Sequence, residues 1–317
     1  MKIAVLDVCT ITNGDVSLDK IEALGEVVKY DVLPAAMVPD AIGDAKAVIV
    51  NKAEITEAVM EACPNLKYVG LFATGYNNID IAAAEKRGIT VCNVPGYSTD
   101  SVAQLTISMI LSFATNIAKY DQSTHNGDWT RMNKFSYMPY SIMELRGKVL
   151  GIYGYGAIGK QVAKVAEALG MEIIVHNRSI PKDCPYEFVS KDEIFKRSDF
   201  LTFHCPLNDQ SRHIVNKDTL AMMKPTAYII NTARGGLVKE NELSEALKAG
   251  VIAGAGMDVL TVEPMTPGHP YLYTPNMIIT PHVAWAAIES RQRLIGKVAE
   301  NLSAFMRGTP INTVKVR

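Results

Sequence analysis

Arg234, Glu263 and His282 are the side chains of this 317-residue chain whose types and setting could do chemistry together. A guanidinium fork can grip a carboxylate through two parallel hydrogen bonds and polarise a neighbouring carbonyl. An imidazole can give or take a proton near neutral pH, and a carboxylate beside it favours its charged form. A cation that holds a carboxylate next to a tunable proton donor suits acid/base work on an organic acid. Each of the three follows an apolar β-type run: Tyr228 to Asn231 before Arg234, Ala253 to Val259 before Glu263, Met277 to Thr280 before His282. Three strands thus deliver three polar residues to one edge of one sheet, where open α/β sheets hold ligands. Gly235 and Gly236 directly after Arg234 argue against a surface ion pair there, and His125, His176, His204, His213 and His269 have no setting comparable to that of His282.

The elements that must position these residues start at the run Gly154, Tyr155, Gly156, Ala157, Ile158, Gly159. Lys148 to Tyr153 before it reads as a buried parallel strand. Gln161 to Leu169 after it places Val162, Val165, Ala166 and Leu169 on one helical face, and Gly170 is a stop. In that context Gly154 permits a tight turn, Gly156 lets the backbone approach a pyrophosphate, and Gly159 lets helix pack on strand, with the phosphates at the helix N-terminus. A second strand, Met171 to His176, follows where a dinucleotide-binding unit requires it.

Strand and helix alternate before the glycine turn as well. The β-type runs are Lys2 to Leu6, Val27 to Tyr30, Ala47 to Val50, Tyr68 to Phe72 and Val91 to Val94, with helices near Leu18 to Leu24, Glu57 to Ala62 and Ile81 to Lys86. The expected class is therefore α/β with two Rossmann-like domains: a flavodoxin-like substrate domain and a doubly wound dinucleotide-binding domain of six or seven strands. The tail, Ile288 to Met306, is one amphipathic helix that must pack back on the first domain to bury its apolar face. The domains are then residues 1–98 plus 286–317, and residues 99–285. Lys plus Arg (32) balances Asp plus Glu (33), so nothing favours a nucleic-acid or membrane partner. No apolar run reaches the length of a membrane span, and the start lacks a signal peptide's features, so the chain reads as cytoplasmic. The five cysteines, Cys9, Cys63, Cys92, Cys184 and Cys205, show no CxxC spacing, so no metal site or disulfide framework is expected.

The segments Asn231-Thr-Ala-Arg234-Gly-Gly, Met257-Asp258-Val-Leu-Thr-Val-Glu263-Pro and Thr280-Pro-His282-Val-Ala-Trp285, in that order after Gly154, resemble the D-isomer-specific 2-hydroxyacid dehydrogenases. The likeness also covers Thr74-Gly75-Tyr-Asn-Asn-Ile-Asp80, Val94-Pro95-Gly96 and His204-Cys-Pro-Leu-Asn-Asp-Gln-Ser211, and so spans most of the chain. It implies that Arg234 binds the substrate carboxylate and 2-oxo oxygen, that His282 is the acid/base and that Glu263 orients and charges it. Thr74 and Gly75 would give backbone N–H groups to the carboxylate. Asp258 would meet the carboxamide end of a nicotinamide. Cofactor contacts would further come from Gly154, Tyr155, Gly156, Ala157, Ile158 and Gly159, with Ala157 and Ile158 through the backbone, and from Cys205, Pro206, Ser211, Thr232, Ala233, Arg234 and His282. The implied reaction is hydride transfer to a 2-oxo acid. A nicotinamide-sensing corepressor of the same fold is the alternative of a different class.

Asn177 stands where a carboxylate would receive the adenosine ribose in an NAD enzyme. Its neutrality, with Arg178 and Ser179 beside it, reads for NADP(H), with NAD(H) as the alternative. Trp285, Arg291-Gln292, Ala103-Gln104 and Asp128-Trp129 resemble the glycerate dehydrogenase, or hydroxypyruvate reductase, branch, and so imply a small polar acid such as hydroxypyruvate or glyoxylate. The resemblance also implies a homodimer, through long helices near Ala103 to Tyr120 and the aperiodic, aromatic-rich segment Asp121 to Met143.

Overall fold

A computed structural model describes residues 1–180 and 184–316; residues 181–183 and 317, inside the expected domains, lie outside the described residues. The chain divides into two compact units, Met1–Ser98 with Trp285–Arg317, and Thr99–Ala284.

The first unit carries β1 (Lys2–Val5), α1 (Asp19–Glu22), β2 (Glu26–Lys29), α2 (Val38–Ile42), β3 (Ala47–Val50), α3 (Glu57–Ala62), β4 (Tyr68–Leu71), α4 (Ile81–Lys86) and β5 (Thr90–Cys92). Its five strands pair in parallel in the order β2-β1-β3-β4-β5, the flavodoxin-like order. The wholly buried runs Ala47–Val50 and Tyr68–Leu71 are continuous apolar strings, as a sheet covered on both faces requires. Thr56 and Asp80 cap α3 and α4 by accepting from Val59 and Ala83 N–H.

The second unit carries α5 (Thr99–Thr115), α6 (Ile117–His125), α7 (Asp128–Met132), β6 (Val149–Tyr153), α8 (Ala157–Ala168), β7 (Glu172–His176), β8 (Glu187–Phe188), α9 (Lys191–Arg197), β9 (Phe200–Phe203), α10 (Lys217–Ala221), β10 (Tyr228–Asn231), α11 (Glu240–Lys248), β11 (Gly254–Met257) and β12 (Met277–Ile279). Its seven described strands run in the order β12-β11-β10-β9-β6-β7-β8, all in parallel pairs. The order reverses between β6 and β9, the switch point past whose carboxyl ends open α/β sheets hold ligands. The two-residue β8 is the seventh strand. Two helices cover Ala103 to Tyr120: Asn116, at φ 50°, ends α5, and α6 follows at a 58° bend. Asparagine tolerates that left-handed step at less cost than most residues.

The last helix, α12 (Ile288–Met306), belongs to the first unit. Leu294, Ile295, Val298 and Leu302 join Ile3, Val5, Ile21, Ile49, Tyr68 and Phe72 in one buried cluster. Each such aliphatic side chain contributes about 1.5–3 kcal/mol on burial. Beyond α12 the chain returns to the edge of that sheet, where Val314 N–H donates to Val91 O and Thr313 bridges Cys92. No single described helix is long and apolar enough to cross a membrane.

Candidate active site

The register of the second sheet sets Asn231, Met257 and Ile279 side by side at the carboxyl ends of β10, β11 and β12. Arg234, Glu263 and His282 all lie in the loops that leave these three ends. Asn231 is fully buried and shapes the first loop: its Oδ1 accepts from Ala233 N–H and its Nδ2 donates to Arg234 O. The Thr232 and Thr106 hydroxyls share a hydrogen bond at 3.0 Å, which ties the same loop to α5. Arg234 itself is exposed, with one Nη donating to Ala233 O.

Directly behind Arg234, Gly235 presses on the loop that bears Glu263. A Cβ on Gly235 would stand 1.9 Å from Leu260 C and 2.3 Å from Thr261 N, so only glycine lets these loops touch. Glu263 lies three residues beyond Leu260. Its Oε1 accepts from Leu260 N–H at 2.9 Å, and its Oε2 meets His282 Nδ1 at 2.6 Å. An ionised carboxylate only accepts, so Nδ1 carries the proton of that bond and Nε2 is the nitrogen left to exchange protons. Both side chains keep some solvent access, 29% for His282 and 31% for Glu263.

His282 adopts φ 55°, a left-handed conformation that a bulky residue holds only when its surroundings impose it. Asp258 imposes it. Its backbone O accepts from His282 N–H at 2.7 Å, while its carboxylate receives Thr280 Oγ1, Val283 N–H and Ala284 N–H. Asp258 is 1% exposed. Burial holds its carboxyl above the ordinary range, against the opposing effects of those three donors and of the His282 charge. Its carboxylate is thereby tied to the His282 loop.

The glycine turn sits at the sheet's reversal point. Gly154 has φ 105°, and a Cβ there would lie 2.7 Å from His204 C and from Cys205 N, so the turn after β6 packs directly on the turn after β9. A Cβ on Gly159 would lie 2.4 Å from Gly154 O, whereas one on Gly156 would meet nothing within 4 Å. Gly156 and Ala157 are exposed at the start of the 12-residue α8. Close packing at two glycines and open space at the third, beside a helix N-terminus, fit a pyrophosphate. Tyr155 is buried.

At the end of β7, Asn177 Nδ2 donates to Ser179 O, and Arg178 and Ser179 are exposed. Past β9, Pro206 is exposed and the Ser211 hydroxyl donates to Pro206 O, closing the turn that follows Cys205. Burial pushes the Cys205 thiol up to about 11, which keeps it un-ionised. His204 Nε2 is buried without a partner, and burial pushes that imidazole down to about 3. In the first unit, Thr74 Oγ1 donates to Val94 O and Asn93 Nδ2 to Thr74 O, so the Thr74–Gly75 loop is fixed. Arg291 is not a free cation: it donates to Ala286 O and Ile11 O and forms a bidentate pair with Asp15.

Residues 107–284 match the model of the D-isomer specific 2-hydroxyacid dehydrogenase NAD-binding domain. Over 322 aligned residues the chain is 40% identical to the hydroxypyruvate reductase of Blautia hydrogenotrophica, covering 99% of each chain. A solved structure from Thermus thermophilus superposes with a TM-score of 0.91 at 34% identity, over 99% of this chain and 100% of that one. The NADPH-dependent glyoxylate/hydroxypyruvate reductase of Sinorhizobium meliloti, solved with NADP and malonate, superposes at 0.83 and 30% identity, over 100% and 98%. Carried by that match through the strand ends bearing Arg234, Glu263 and His282, the chain belongs to the D-isomer specific 2-hydroxyacid dehydrogenase family.

Proposed function

We propose that this NAD(P)-dependent oxidoreductase reduces hydroxypyruvate or glyoxylate to the 2-hydroxy acid, with NADPH the preferred donor. The bound nicotinamide supplies the hydride. His282 Nε2 donates the proton that the 2-oxo oxygen takes up, and the Glu263 carboxylate on Nδ1 stabilises the imidazolium beforehand. The Arg234 fork binds the substrate carboxylate and stabilises charge developing on the oxygen. In the oxidising direction the same nitrogen accepts the hydroxyl proton. The observation that carries this reading is the 2.6 Å bond between His282 and Glu263, on the sheet edge that also bears Arg234.

On this reading the second unit holds the dinucleotide, with Gly154, Gly156, Ala157, Ile158 and Gly159 giving backbone contacts to the pyrophosphate. Among the described residues neither the Thr74 nor the Gly75 N–H has a hydrogen-bond partner, which supports their use for an anion. Asn177, with exposed Arg178 and Ser179, supports NADPH, since no carboxylate repels a 2′-phosphate there. A cofactor-sensing role without turnover gains no support, because the acid/base pair is complete. We further assign the protein to the cytoplasm and to a homodimer joined through the stretch around α7: Trp129, Met132, Phe135, Met138 and Ile142 are 47%, 45%, 97%, 77% and 61% exposed. A monomer by sedimentation at micromolar concentration would contradict the dimer.

Steady-state rates with NADPH and NADH over hydroxypyruvate, glyoxylate, pyruvate and a bulkier 2-oxo acid test the proposal. The expected result is the highest kcat/KM for one of the two small polar acids with NADPH. Equal or better efficiency with NADH would remove the cofactor preference, and cofactor binding without turnover of any acid would overturn the catalytic reading.

A further inference from the structure

His269 and Glu240 form a part-buried pair outside the three catalytic side chains, and their hydrogen bonds lead to the loop that carries Glu263. The His269 side chain is 7% exposed and that of Glu240 17%. Tyr271 N–H donates to His269 Nδ1, so in the neutral ring the proton sits on Nε2, which faces Glu240 Oε2 at 3.3 Å. Glu240 Oε1 accepts from Thr261 N–H at 2.8 Å. The next peptide N–H back along the chain, that of Leu260, is held by Glu263 Oε1, and Glu263 Oε2 holds His282. The Leu260–Thr261 peptide is thus fixed on two sides: Gly235 leaves no space in front of it, and Glu240 holds its N–H. Glu240 opens α11, whose buried residues Leu243, Ser244, Ala246 and Leu247 anchor it to the sheet.

A short loop with exposed residues at 261–264 has little packing of its own to fix a carboxylate. A part-buried carboxylate that accepts a backbone N–H and is itself oriented by an imidazole supplies that constraint. We propose that Glu240, oriented by His269, is a positioning residue that sets the Glu263 carboxylate against His282. This rests on the catalytic roles assigned above to Glu263 and His282.

The test is a double-mutant cycle read in kcat for 2-oxo acid reduction at saturating cofactor. Glu240→Ala is expected to lower kcat by about 10- to 100-fold, the scale of a misplacement near 1 Å, with the cofactor's dissociation constant within about twofold of the parent. In a Glu263→Gln background the same change is expected to cost less than about threefold, because the group it positions no longer acts. Glu240→Gln, which keeps an acceptor for Thr261 N–H, is expected to recover most of the loss. Equal losses in both backgrounds would reduce Glu240 to a general stability role and overturn the proposal, as would parental kcat in Glu240→Ala. If Glu240→Ala does not fold, His269→Asn supplies the same cycle, with an expected loss of about 3- to 10-fold that vanishes beside Glu263→Gln. Parental turnover in Glu263→Gln alone would overturn the catalytic role of Glu263 and the positioning role with it. Loss in Glu263→Gln without loss in Glu240→Ala overturns only the latter.

Discussion

Gly235→Ala is the smallest change that should separate the two loops of the acid/base site. The added methyl would stand 1.9 Å from Leu260 C, 2.1 Å from Leu260 O and 2.3 Å from Thr261 N, all of them backbone atoms that no rotamer can clear. Restoring ordinary contact requires the Arg234 and Glu263 loops to part by roughly 1 Å or more, since interiors are close-packed. Such overpacking costs about 1–3 kcal/mol. For a domain of this size that lowers Tm by roughly 2–12 °C. The catalytic effect is larger in proportion, because a shift of about 1 Å in a positioned group costs about 100-fold. Steady-state reduction of hydroxypyruvate and glyoxylate, followed by nicotinamide absorbance, with a parallel thermal melt, measures both. The glycine turn lies elsewhere, so the loss of turnover should persist at saturating cofactor. A Gly235→Ala protein with parental Tm and kcat within about threefold would refute the close approach of the two loops and the need for it.

Gly156→Ala should leave Tm near parental but weaken cofactor binding, because its Cβ enters open space beside the α8 N-terminus; Gly159→Ala should lower Tm, because its Cβ meets Gly154 O at 2.4 Å. Melts and cofactor titrations distinguish them, and the reverse pattern would contradict the assignment of the turn. His204, pushed down to about 3 by burial, stays neutral in the folded state while the unfolded chain takes up its proton below about 6.5. This histidine should therefore destabilise the fold progressively as pH falls from about 6.5 to about 3. Urea midpoints of parent and His204→Gln across that window check this, and equal slopes would deny the burial of a neutral ring. Asn177→Asp should lower the NADPH-to-NADH ratio of kcat/KM at least about tenfold, equivalent to about 1.4 kcal/mol. An unchanged ratio would remove Asn177 from the adenosine ribose site.

Much of this was legible along the chain. Apolar runs bounded by turn residues mark both parallel sheets, and α12 spans Ile288–Met306 as its periodicity predicts. The three catalytic candidates stand out because each follows a strand. What local pattern does not carry is pairing across long separations. The two-residue β8 is too short for periodicity, and the return of residues 312–314 to β5 depends on a sheet edge far away in sequence. Asp258 stands out in the sequence, yet its partners at Val283 and Ala284 lie 25 and 26 residues on and are backbone groups that no residue type announces. Asn231 has a local signal in retrospect, since an asparagine ending a buried strand needs partners, and it finds them two and three residues later. His269 has none: its setting depends on Glu240, 29 residues earlier. Conversely, Arg291 stands out as a cation but is paired with Asp15 within its own unit.

The claim on which the account turns is that His282 Nε2 delivers the substrate proton while Glu263 fixes the ring. Single-turnover reduction of the best 2-oxo acid by the His282→Ala protein, with the reduced cofactor pre-bound, measures this directly. The predicted result is a hydride-transfer rate at least about 100-fold below parental at saturating reduced cofactor. A rate close to parental would contradict it.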